Sequence, residues 1–186
     1  MNIIDLMEGN SRFASSADLK ELKELAERGQ NPVATVISCS DSRVPVEVIF
    51  NQLDPGRLFV IRVAGNLIAD HIVKGSIEYA VTHLKTPFLI VIGHSGCGAI
   101  KAYLSRANQG ELGEILRNLE LKSKNPQQAA IENIHLQVER ALRIECVRDA
   151  LESKSIEVYG MFYDLETGIL TRVNVNGLPV NDMVSP

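Results

Sequence analysis

From Pro32 onward the chain carries two kinds of apolar pattern in alternation. Val33–Ile37, Leu58–Ile61 and Phe88–Ile92 are short, continuous runs rich in β-branched residues. Such runs predict strands buried on both faces, as in a parallel sheet. Between them Val73, Ile77, Ala80, Val81 and Leu84 recur at helical spacing, which predicts a helix over 73–84. Residues 99–119 predict helix interrupted around Asn108-Gln109-Gly110, and one long helix is predicted from Pro126 to Ser153, with Ile131, Ile134, Val138, Leu142 and Cys146 on one stripe. Ile156–Phe162 reads as a fourth strand, Glu166-Thr167-Gly168 as a turn, and Ile169–Val175 alternates as an edge strand. Strands alternating with helices predict an α/β fold: a Rossmann-like, mainly parallel β-sheet flanked by helices, with an edge strand near the C-terminus.

Before Pro32 the pattern differs. Ile3, Ile4, Leu6 and Met7, then Leu19, Leu22 and Leu25, predict two short amphipathic helices split by Ser15-Ser16-Ala17-Asp18, where Ser or Asp would cap the second. Residues 1–30 thus form a helical arm with little core of its own, expected to pack on the main domain or on a partner subunit. Without an internal repeat or linker, residues 1–186 read as a single domain.

Composition narrows the classes. The 186 residues are 45% hydrophobic and 23% charged, enough for one real core. A formal net charge of −4 with no basic patch argues against nucleic acid as partner. The longest clean apolar run is Phe88–Ile92, far short of a membrane span, and MNIIDLMEGNSRF lacks the basic start and apolar stretch of a signal peptide. Three cysteines are too few for a disulfide framework, and their odd number points to a reducing cytoplasm.

Two segments follow predicted strands and hold the reactive residues: Cys39-Ser40-Asp41-Ser42-Arg43 and His94-Ser95-Gly96-Cys97-Gly98. Ligands of open parallel sheets bind beyond the carboxyl ends of the strands, so both segments are expected on one rim. Two thiolates and an imidazole suit Zn²⁺, and three protein ligands leave a fourth position open, as in catalytic sites. Gly96 and Gly98 would free the backbone to turn His94 and Cys97 inward. Asp41 could accept a hydrogen bond from a hydroxide at the metal and aim its lone pair, with Arg43 holding Asp41 by a bidentate pair. Released from Arg43, Asp41 could instead take the fourth position and close the site. No Cys-x-x-Cys supports a redox pair, and Gly93-His-Ser-Gly96-Cys-Gly98 is in the wrong order for a dinucleotide loop. Cys146 is expected as a core thiol and His135 as a helix-face residue. Nothing places His71 or His83 at the metal, and Ser40 and Ser42 are expected as loop hydrogen-bonders.

Cys39-Ser-Asp41-Ser-Arg43-Val-Pro45 together with Gly93-His94-Ser-Gly-Cys97-Gly98-Ala99 resembles the β-class carbonic anhydrases. Gly9-Asn10-Ser-Arg12-Phe13, Gln30-Asn-Pro32, Arg62-Val-Ala-Gly65-Asn66, Ser76-Ile-Glu-Tyr79-Ala80 and Gly160–Gly168 extend the likeness over nearly the whole chain. The resemblance implies one Zn²⁺ per subunit on Cys39, His94 and Cys97, with Asp41 and Arg43 as the catalytic dyad. It implies reversible hydration of carbon dioxide to bicarbonate and a proton, by attack of a zinc-held hydroxide. Gln30 matches a position that meets substrate from across a dimer interface, and Gly98 is a further substrate-binding candidate. A homodimer or homotetramer with its active site near the subunit interface is implied as well. A COS or CS₂ hydrolase on the same scaffold, and a non-catalytic zinc-binding protein, are the alternatives. The sequence departs from one regulated subgroup, which has a Trp three residues before the first ligand where this chain has Val36, and from many relatives at Arg62-Val63, where they have Arg-Asn.

Overall fold

The computed structural model describes residues 2–16, 19–107, 109–175 and 178. Within them β1 (Ala34–Ser38), β2 (Leu58–Arg62), β3 (Phe88–His94), β4 (Glu157–Tyr163) and β5 (Leu170–Val173) pair into a five-stranded sheet of order β2-β1-β3-β4-β5. The first four strands are parallel to their neighbours, and β5 runs antiparallel to β4 at the edge. The fold class is therefore the expected one. Its strand ends shift by a residue or two, and one shift matters. β3 runs to His94 rather than stopping at Ile92, because His94 pairs with Tyr163 of the longer β4.

Side-chain alternation along the strands divides the core in two. Ile37, Leu89, Val91, Val158 and Phe162 face the larger cluster, with residues from α4 (His71–Thr82), α5 (Gly98–Leu104), α6 (Gly110–Leu116), α7 (Pro126–Leu142) and α8 (Glu145–Glu152). Ala34, Val36, Ile90, Ile92 and Met161 face a smaller cluster with Val46 of α3 (Val46–Ile49). Asp70 caps α4, accepting from the amides of Ile72 and Val73, and Asn125 caps α7 ahead of Pro126, each contributing about 1 kcal/mol. Ile134 of α7 is fully buried against β3 and β4, worth roughly 1.5–3 kcal/mol of transfer free energy. It sits where both strands lack a side chain. A methyl added to Gly93 would lie 2.6 Å from Ile134 Cγ1, and one on Gly160 would lie 2.8 Å from its Cγ2.

The single helix expected over 126–153 is two helices. Ile144 adopts an extended conformation (φ −74°, ψ 122°) and starts α8, which packs its buried Val147 beside α4. No Pro or Gly marks this break. Tertiary burial of a second apolar face overrides the helical propensity of Leu142-Arg143-Ile144. Cys146 therefore belongs to α8, is half-buried at the border of the larger cluster, and has its thiol pushed up by that burial. His135 is half-buried on α7, while His71 and His83 are exposed at the two ends of α4.

The chain falls into two compact units, Met1–Asn31 and Pro32–Pro186. The first holds α1 (Ile3–Ser16) and α2 (Leu19–Arg28), the two helices expected, and neither buries a residue. Of the expected caps of α2, Ser15 and Ser16 fall in the last turn of α1, and Asp18 lies outside the described residues.

Candidate metal centre

The register of β1 and β3 assembles the site. Ser38 pairs with Ile92, so Cys39 and His94 reach the carboxyl edge of adjacent parallel strands side by side. Cys97 follows a turn in which Gly96 takes φ 66°, and it precedes α5. Gly98 is the ordinary first residue of α5, with open space where a side chain would stand. Cys39, His94 and Cys97 are 5%, 0% and 3% exposed, and their ligand atoms all lie within 4.8 Å of one another.

Three observations test whether a metal fits. The two sulfurs are 4.0 Å apart, against the ~3.8 Å edge that Zn–S bonds of about 2.3 Å give a tetrahedron. His94 Nδ1 donates to the carbonyl of Ser95 at 2.9 Å, which leaves the Nε2 lone pair facing the sulfurs. That Nε2 is buried without a hydrogen-bond partner, a costly arrangement that a cation would relieve. The contact with the Cys97 thiol lowers the pKa of Cys39, and the same contact together with burial raises that of Cys97. A dication bound between them would favour the thiolate form of both. The residues fit a tetrahedral, thiolate-binding metal.

Asp41 stands beside this cluster, its Oδ2 3.9 Å from His94 Nε2 and its side chain 15% exposed. Arg43 grips it in a fork: Nε donates to Oδ1 at 2.9 Å and Nη2 to Oδ2 at 2.7 Å, and the Arg43 amide donates to Oδ1 at 3.0 Å. The Arg43 side chain holds this carboxyl well below the usual carboxylate range, against the opposing effect of burial. Arg43 Nη2 also donates to the Gly96 carbonyl at 3.3 Å and so ties the two loops together. Gln30 lies in the Met1–Asn31 unit, on the exposed stretch after α2.

A family model described as carbonic anhydrase matches residues 34–170, which takes in every residue of the cluster. The chain belongs to the β-carbonic anhydrase family. It is 35% identical over 187 residues to a carbonic anhydrase of Pseudomonas aeruginosa, covering 88% of this chain and 84% of that one. It is 46% identical over 112 residues to a carbonic anhydrase of Mycolicibacterium smegmatis, covering 58% of this chain and 53% of the relative, so the match spans about half of that protein. A tetrameric β-carbonic anhydrase from Sordaria macrospora superposes with a TM-score of 0.82 at 28% identity, covering 91% and 95% of the two chains.

Within this β-carbonic anhydrase scaffold, three supporting residues escaped sequence reasoning. Arg62 donates from Nε to the Cys39 carbonyl at 3.1 Å and from Nη2 to the Asp41 carbonyl at 2.6 Å. The Gly65 amide donates to Cys39 Sγ at 3.4 Å. Ser95 accepts at Oγ from the Leu165 amide at 2.8 Å, and its own amide donates to the Tyr163 carbonyl at 2.9 Å. Arg62 and Gly65 lie in a motif that carried the family likeness, but only the structure shows what they touch.

Proposed function

We propose that this chain is a zinc-dependent carbonic anhydrase that interconverts carbon dioxide and bicarbonate with release of a proton. The observation that carries this reading is the buried Cys39–His94–Cys97 cluster with an ionised, fork-held Asp41 at its edge. Cys39, His94 and Cys97 would hold the metal. Zinc bound there supplies a water acidified enough to act as nucleophile near neutral pH.

The chain's own groups do the rest. Asp41 is ionised, so it can only accept hydrogen bonds, and any O–H beside it must point its hydrogen at Oδ2 and turn its lone pair elsewhere. Its depressed pKa makes it a poor base, so its part is to orient an O–H group rather than remove the proton. Arg43 fixes the carboxylate in two places and leaves Oδ2 on the cluster side. Gln30 and Gly98 are the proposed substrate-binding positions, with Gln30 supplied by a partner subunit in a homodimer or homotetramer whose active site lies near the interface. The 1–30 arm would pack on that partner, and the tetrameric Sordaria relative supports assembly. Among the described residues no helix is long and apolar enough to cross a membrane. The reduced thiols that the site needs support a cytoplasmic setting.

Stopped-flow hydration of carbon dioxide by the zinc-loaded protein, followed by an indicator in mildly alkaline buffer, tests the reading. A rate well above buffer supports it. A fully zinc-loaded protein no faster than buffer overturns it, and turnover of COS or CS₂ in place of carbon dioxide would move the assignment to a hydrolase.

A further inference from the structure

Two side chains contradict the apolar character of the buried face of α7. Asn133 and Gln137, four residues apart, are 1% and 0% exposed, among Ala129, Ala130, Ile134, Val138 and Ala141. An unpaired polar group buried this deeply is costly, so what the two amides bond explains their presence. Gln137 Nε2 donates to Asn133 Oδ1 at 2.8 Å, and Gln137 Oε1 accepts from the Ile68 amide at 2.8 Å. Asn133 Nδ2 donates to the Gly65 carbonyl at 2.8 Å and to Asn66 Oδ1 at 3.2 Å. The pair grips the 65–68 segment at both ends.

That segment needs gripping. Gly65 and Asn66 stand consecutively in the left-handed region, at φ 70° and φ 48°, and the second of these is unfavourable for a residue with a side chain. The conformation turns the Gly65 amide onto Cys39 Sγ. An N–H donor stabilises the thiolate and moderates its electron density, and second-shell bonds of this kind also set ligand direction. Neutral amides do so without adding charge beside the cluster.

We infer that Asn133 and Gln137 are positioning residues for the Cys39 ligand. Through the 65–68 turn they hold the Gly65 N–H against the sulfur and thereby tune the grip on the metal. The inference rests on the metal reading above and deepens it. A purely structural role, as a polar staple between α7 and the turn, would stabilise the fold and leave metal affinity alone.

The test compares the wild type with Gln137→Met, Asn133→Ala and Val138→Ala, each folded protein titrated with Zn²⁺ against a chromophoric chelator. Each is also loaded with Co²⁺, whose near-ultraviolet thiolate-to-metal band reports the sulfur directly. Gln137→Met and Asn133→Ala are expected to weaken zinc binding about 10- to 100-fold and to shift that band. Val138→Ala opens a cavity in the same helix and lowers stability, but should change neither readout. Gln137→Met keeps the side-chain volume and decides the matter where Asn133→Ala does not fold. Wild-type affinity and band in the amide variants, or equal weakening in Val138→Ala, overturns the inference. A wild type that takes up neither ion overturns the metal reading itself, which is a different result.

Discussion

The two loops that meet at the cluster are fixed by different means. The loop after β3 is an extension of the sheet. His94 still pairs with Tyr163, the Ser95 amide adds one more bond to that carbonyl, and Ser95 Oγ takes the Leu165 amide. The loop after β1 keeps one backbone bond of the same kind, the Ser40 amide on the Val63 carbonyl at 3.3 Å, and is otherwise held by contacts to segments distant in sequence: Arg62 on its carbonyls, the Gly65 amide on the Cys39 sulfur, and its own Arg43 reaching Gly96. Backbone pairing is insensitive to side chains, whereas a clamp that depends on the guanidiniums of Arg62 and Arg43 fails if either is altered. The β3 loop should therefore tolerate the loss of a side-chain bond better than the β1 loop.

Cys97→Ser attacks the β3 loop at a proposed ligand and should have the largest effect. Metal content by mass spectrometry is expected to fall to a trace and hydration activity to background, while circular dichroism stays close to wild type. Asp41→Asn keeps the shape of the β1 loop but replaces one carboxylate oxygen with a donor, so the group no longer only accepts. Zinc content should be unchanged and kcat about 10²-fold lower, the scale of a misoriented reacting group; wild-type kcat would remove Asp41 from the orienting role. Arg62→Leu removes the clamp on the Cys39 and Asp41 carbonyls without touching a ligand. A roughly 10-fold loss of zinc affinity is expected, near the lower end for supporting residues. Ser95→Ala is the corresponding cut in the β3 loop. It should cost about 1 kcal/mol in denaturant unfolding and leave zinc affinity within twofold. If Ser95→Ala weakened zinc as much as Arg62→Leu, the contrast between the loops would be gone.

The sequence made the Cys39–His94–Cys97 cluster legible because its chemistry is local. Cys39 with Asp41, and His94 with Cys97, stand two and three residues apart after apolar runs, and those runs end on one rim in any parallel sheet. Legibility failed where distant segments decide the outcome. The break at Ile144 has no Pro or Gly to announce it; only the burial of Val147 beside α4 explains it. Asn133 and Gln137 drew no expectation, since their partners lie at Gly65, Asn66 and Ile68, more than sixty positions away. Polar residues at helical spacing on a face that is otherwise apolar were the available signal. The function of Arg62 was hidden for a similar reason, because an arginine at a strand end does not disclose which carbonyls it will reach.

The seat of Ile134 on two glycines ties these positions together as a unit of inheritance. Gly93 precedes His94 of the cluster, and Ile134 follows Asn133, so extra bulk at 93 would push apart the strand that carries the imidazole and the helix that carries the amides. Gly160 closes the same space from the neighbouring strand. A lineage could enlarge 93 or 160 only by shrinking 134 in step. Positions 93, 134 and 160 should thus change together or not at all, and the freedom of the metal site to drift is set in part by side chains that are missing.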